Sequence, residues 1–118
     1  MKIRIKGNSV RFRLTKSDLA KLDSQRAIIE TTEFMSNTFL YEIHVADFDA
    51  LAADLVDCHM ILQLPRLMLN ELIESDKVGF TGHSGLVTLL IEKDFTCLDN
   101  VEEDQSDNFP NPLLEQNK

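Results

Sequence analysis

Residues 2–16 read KIRIKGNSVRFRLTK. Ile3 and Ile5 alternate with Lys2, Arg4 and Lys6 before a Gly7-Asn8 pair, and Val10, Phe12 and Leu14 alternate with Arg11 and Arg13 after it. Two runs of period two joined by a glycine-containing pair specify a β-hairpin with a II′-like turn. With Gly7-Asn8 at the tip, Ile5 faces Val10, Ile3 faces Phe12, Arg4 faces Arg11 and Lys2 faces Arg13. A longer loop changes the partners but not the kind of pair, because side chains alternate with period two. One hairpin face is therefore apolar and the other almost wholly cationic.

Like charges directly opposite one another on a sheet are unfavourable, by about 1 kcal/mol or less per pair. Three sources of compensating anions are open. Neighbouring strands can supply them, through Glu30 beside Thr32 or Glu42 beside His44. An acidic segment near the end of the chain can fold back over the hairpin. Alternatively a bound phosphate or carboxylate sits there, with Arg4, Arg11 and Arg13 as the contacts, because guanidinium reads both groups bidentately.

Charge along the chain sharpens that choice. The 118 residues carry 12 Lys and Arg against 20 Asp and Glu, a formal net charge of -8. Half of those cations, Lys2, Arg4, Lys6, Arg11, Arg13 and Lys16, fall within the first sixteen residues, with no acid among them. Residues 92–112 hold Glu92, Asp94, Asp99, Glu102, Glu103, Asp104 and Asp107 against Lys93 alone. A basic head and an acidic tail thus flank a mildly acidic body. The acidic total argues against nucleic-acid binding, and exposed aromatic residues of the kind that stack on single strands do not interleave with the cations.

The length fits one domain, read as 1–112 with a flexible tail at 113–118, and a core of this size needs no disulfide staple. No apolar run is long enough to span a membrane. The start lacks the apolar core of a signal peptide, which points to the cytoplasm and to Cys58 and Cys97 as free thiols.

Beyond the hairpin, TKSDLAKL (15–22) reads as a short helix. Thr15 is its N-cap, Asp18 completes a capping box, and Leu19 and Leu22 face inward. AIIETTEF (27–34) and TFLYEIHV (38–45) are strands, the latter with Phe39, Tyr41, Ile43 and Val45 on one face. ADFDALAADLVD (46–57) is ambiguous, with Asp47 able to cap a helical turn through Leu51 and Leu55. CHMILQL (58–64) is a buried strand stopped by Pro65, and PRLMLNELIES (65–75) is a helix with Leu69, Leu72 and Ile73 as its stripe. KVGFTG (77–82) and GLVTLLIEKDF (85–95) are strands across a turn at Gly82–Gly85.

Sliding the chain by 50 residues superposes Leu14 on Leu64, Leu19 on Leu69, Leu22 on Leu72, Thr31 on Thr81, Thr38 on Thr88, Leu40 on Leu90 and Glu42 on Glu92. A tandem βαββ repeat and a coincidence between two amphipathic units both account for that alignment. Either way the fold class is α+β, an antiparallel sheet of about seven strands, with barrel-like closure as one option, and two short helices.

Candidate chemistry is sparse. Asp94, Cys97, Asp99, Asp104 and Asp107 are metal-capable, but their spacing matches no zinc or EF-hand pattern. Cys97 and Cys58 read as small core residues. His44, His59 and His83 show no metal-binding spacing, and His83 falls in a turn where it would be exposed. Neither a metal nor a cofactor is implied.

IRIKGNSVRFRLTKSD, VGFTG and above all IEKDFTCLDNVEEDQSDNFPNP resemble a small family of bacterial proteins of unknown function. The resemblance covers both ends and part of the second half, and is silent over 45–63. It implies a short cytosolic single-domain protein whose acidic tail belongs to the folded unit. It implies no activity and no functional residues.

The leading expectation is a small non-enzymatic module that binds an anion or a protein partner through the basic hairpin, without nucleic acid or membrane. Its rivals are a metal-assisted hydrolase with Asp94, Cys97 or His83 at the site, and a structural subunit of a homo-oligomer.

Overall fold

A computed structural model describes residues 1–95. Within them the order is β1 (Lys2–Lys6), β2 (Ser9–Leu14), α1 (Lys16–Gln25), β3 (Ala27–Glu33), β4 (Thr38–Ala46), β5 (Ala52–Val56), β6 (His59–Pro65), α2 (Arg66–Glu74), β7 (Gly79–Ser84) and β8 (Val87–Lys93). The class is α+β. The eight strands form two four-stranded sheets, β1-β2-β8-β7 and β3-β4-β6-β5.

The opening hairpin has the register expected with Gly7-Asn8 at its tip. Lys2 pairs with Arg13, Ile3 with Phe12, Arg4 with Arg11 and Ile5 with Val10. Gly7 turns the chain at φ 55°, a conformation open to a residue without Cβ. Along β2 the apolar residues Val10, Phe12 and Leu14 are buried and the cations between them are not. The first helix has the full capping box: Asp18 N donates to Thr15 Oγ1, and Thr15 N donates to Asp18 Oδ2. Leu19 and Leu22 are buried.

Residues 46–57 depart from the helical option. Ala52–Val56 is a strand, paired antiparallel with β6. Leu51 and Leu55 are spaced for a helix, but Leu51, Ala53 and Leu55 also satisfy period two, and pairing with β6 decides between them. The Asp57-Cys58 turn that follows has φ of 49° and 64°. Positive φ at both positions is the I′ geometry suited to a two-residue hairpin, here built without glycine. The final turn also lies elsewhere than expected. Ser84 pairs with Val87, placing the turn at Gly85-Leu86, and Gly82 lies inside β7 opposite Leu89.

With β5 included, each half is a ββαββ unit, and residues 2–46 and 52–93 carry the same five elements in the same order. Exchanging every element for its counterpart turns one sheet order into the other. The halves are interleaved. Each sheet takes one hairpin from each half, joined by parallel pairs, β2 with β8 and β4 with β6. Both sheets are therefore mixed rather than antiparallel, and they are not hydrogen-bonded into a closed barrel. Phe12 lies opposite Ile91, and Leu62 lies opposite Ile43. A strict offset of 50 would set Leu62 against Tyr41. The two-residue shift leaves every side chain on its face.

The core lies between the inner faces and the two helices, with Phe12, Leu22, Ile43, Leu62, Leu64, Leu69, Leu89 and Ile91 fully buried. Two seams join the sheets. At one, Leu51 lies over Gly82, where a Cβ would come 3.1 Å from the leucine Cβ, and Ser84 Oγ donates to Ala53 O at 2.9 Å. At the other, the N-terminal ammonium is 2.9 Å from Asp18 Oδ2 and 3.8 Å from Glu30 Oε1. Tyr41 joins that cluster. A hydrogen bond to Glu30 raises its phenol above the ordinary value, and burial and the carboxylate charge add to the rise.

Burial pushes the Asp18 carboxyl up, but hydrogen bonds from the ammonium and from Thr15 outweigh it, and the net value lies below the ordinary carboxylate. A lowered folded-state pKa stabilises above the unfolded value and loses that stabilisation as pH falls through the folded one. Asp18→Asn should accordingly lower stability by about 1–2 kcal/mol at neutral pH. The gap from the unaltered chain should close as the solution is acidified through and below the ordinary carboxylate range, which urea unfolding across pH would read.

Candidate functional site

The outer face of the first sheet carries the cations, and register fixes its layout. Across β1, β2, β8 and β7 the rows are Lys2, Arg13, Glu92, Gly79, then Arg4, Arg11, Leu90, Thr81, then Lys6, Ser9, Thr88, His83. Five cations thus face one carboxylate within the sheet. Glu92 Oε1 accepts from Arg13 Nε at 3.1 Å, while Arg11 Nε lies 3.5 Å from the same oxygen. Lys2 Nζ is 3.2 Å from Asp94 Oδ2, just beyond the end of β8.

Compensation therefore comes from β8, a strand that parallel pairing brings beside β2. Glu30 and Glu42 do not supply it, because β3 and β4 belong to the other sheet. Glu30 serves the N-terminal ammonium, and Glu42 Oε1 sits 3.3 Å from His59 Nε2. That contact is close but not aligned as a hydrogen bond, leaving His59 Nε2 buried without a hydrogen-bond partner among the described residues. The fold-back of the acidic residues 99–109 over the hairpin lies outside the described residues.

Arg4, Arg11 and Arg13 are brought onto one surface, with Arg4 and Arg11 directly opposed. Arg11 and Arg13 share a single carboxylate, and Arg4 and Lys6 have no ion-pair partner among the described residues. Two flat guanidinium groups a strand apart with spare donors can grip a phosphate or carboxylate.

The two described residues of the hydrolase reading, His83 and Asp94, do not converge. His83 is exposed on β7 opposite Thr88, whereas Asp94 follows the far end of β8, six residues or about 20 Å along the strand. Cys97, Asp99, Asp104 and Asp107 lie outside the described residues. Among the described residues, no three His, Cys, Asp or Glu side chains cluster to hold a metal ion. Cys58 is a free thiol but not a core residue. It occupies the β5–β6 turn, half-buried, and its Sγ accepts from Asn37 Nδ2 at 3.3 Å.

A cavity of about 510 Å³ lies between α1 and α2, with Leu14, Leu19, Leu72 and Ile73 among its walls. Its charged liners are mostly engaged elsewhere. Lys93 donates to Ser75 O, Asp94 pairs with Lys2, and Asp23 pairs with Arg66. It lacks the convergent polar groups that orient a ligand. No helix among the described residues is long and apolar enough to cross a membrane.

Glu92→Gln tests the compensation. Both arginines are about one-third exposed, so screening limits the loss to about 1 kcal/mol. The variant should recover part of that loss as salt rises, because salt screens the unmasked repulsion. Equal stability at low salt would mean that Glu92 does not hold the ladder.

A family model described as a family of unknown function, DUF7009, matches residues 1–113. No curated protein and no solved structure matches the chain. With nearly the whole sequence spanned, from the basic hairpin through the acidic stretch, the chain belongs to the DUF7009 family.

Proposed function

We propose that this protein is a small non-enzymatic binding module whose basic sheet face takes an anionic ligand or an acidic protein surface, with Arg4, Arg11 and Arg13 as the contacts. The observation that carries this reading is the shortfall of carboxylate on that face. Glu92 serves two guanidinium groups, and Arg4 stands against Arg11 without a described carboxylate of its own. A purely structural sheet face gains nothing from five neighbouring cations, since each opposed pair is unfavourable. An anion from outside relieves that repulsion and gains charge-assisted hydrogen bonds. The hydrolase alternative has no such support, because His83 and Asp94 sit at opposite ends of a strand pair.

Side-chain NMR of the arginines during titration with inorganic phosphate, and separately with a polyglutamate peptide, tests the proposal. The Nε resonances of Arg4, Arg11 and Arg13 should shift together and saturably, and the response should weaken with rising salt. Resonances that stay fixed with both probes at low ionic strength would end the anion-binding reading.

A further inference from the structure

Two sheets built from the same order of elements share topology and hairpin register, so their outer faces are comparable position by position. Their chemistry differs. Under the offset of 50, Lys2 corresponds to Ala52, Arg4 to Asp54, Lys6 to Val56, Arg11 to Ile61 and Arg13 to Gln63. None of the five cations has a cation at its counterpart. Across β3, β4, β6 and β5 the second outer face reads Ala27, His44, Gln63, Ala52, then Ile29, Glu42, Ile61, Asp54, then Thr31, Leu40, His59, Val56. Ile29 on one edge strand is 50% exposed and Val56 on the other 57%, and the half-buried Leu40 and Ile61 lie between them. Glu33, on the same face of β3, adds a third carboxylate. Single exposed apolar residues are ordinary, but contiguous ones set among charges mark a contact surface.

We infer that the outer face of the second sheet docks on the basic outer face of the first sheet of a second copy of this chain. The inference rests on the proposed role of the basic face and names its partner. The carboxylates of Glu33, Glu42 and Asp54 meet the under-compensated cations. Leu90, in the middle row of the basic face, offers an apolar counterpart to the isoleucines. Each face is four strands wide, about 20 Å by 20 Å, which is at the small end of specific interfaces. The contact is consequently weak and sensitive to salt. It is also heterologous, because the two docking faces differ, so each added copy leaves one face of each kind open until a ring closes.

Two variants, each changing only exposed positions of one face, decide the matter by sedimentation velocity at low ionic strength and about 10⁻⁴ M protein. Arg4→Glu with Lys6→Glu disables the basic face, and Asp54→Lys with Val56→Lys disables the other. The unaltered chain should self-associate, and each variant alone should sediment as a monomer. Their equimolar mixture should regain a species of about twice the monomer mass and stop there, since each component keeps one working face. Circular dichroism checks that the variants are folded, and the single changes Arg4→Ser and Val56→Lys stand in for a pair that is not. A monomeric unaltered chain, a mixture no heavier than its components, or one variant that still dimerises alone would each overturn the inference. Phosphate-induced arginine shifts in a chain that stays monomeric would remove self-docking and leave anion binding intact.

Discussion

Parallel pairing of β2 with β8 and of β4 with β6 joins the two halves of the chain, and everything else is arranged around those two ladders. An isolated two-stranded hairpin is marginal in water. Here four hairpins are merged pairwise, one from each half, into sheets whose central rows place Phe12 against Ile91 and Leu62 against Ile43, all fully buried. Neither half contains a complete sheet. The helices follow from the same constraint, since α1 carries the chain from the first sheet to the second and α2 carries it back.

The repeat also shows what chain position does to chemistry. Met1 and Leu51 hold equivalent places at the two seams, and their surroundings differ in a matching way. Asp18 and Glu30 surround the ammonium of Met1, while their counterparts Met68 and Phe80 pack against the apolar core, and Leu51 lies on Gly82. A charged amine at a half-buried seam demands carboxylates, whereas a peptide group does not. The same ββαββ scaffold holds an ionic cluster at one seam and, at the other, the Leu51–Gly82 contact and the Ser84–Ala53 hydrogen bond. The outer faces diverged similarly, into one that is basic and one that mixes apolar residues with acids.

How much of this could be read in advance differed by element. The hairpin register, the Thr15–Asp18 capping box and the inward Leu19, Leu22, Leu69 and Leu72 all express short-range rules, and they hold as read. The 50-residue offset also stands, extended by β5. That strand was obscured because its turn, Asp57-Cys58, adopts positive φ without the glycine or asparagine that usually signals it. Gly82 misled in the opposite sense. Its lack of a side chain serves close packing beneath Leu51, not a turn. As for the site, parity alone puts Arg4, Arg11 and Arg13 on one face, whereas Glu92, which meets two of them, comes from a strand that no local rule sets beside β2.

The sequence by itself therefore determined the local units: which residues pair across the first turn, which faces are apolar, where the helices begin, and that the cations line one side of one hairpin. Alternation and capping act over a few residues, and they leave their marks in order along the chain. Only the tertiary structure decided which hairpin lies beside which. That choice made the sheets mixed rather than antiparallel, sent Glu92 and not Glu30 or Glu42 to the cation ladder, and left one carboxylate between two arginines. Parallel strands are never joined by a tight turn, so no short stretch of sequence records their pairing. It is set by the fit of Phe12, Ile43, Leu62 and Ile91 in a core that both halves must build together.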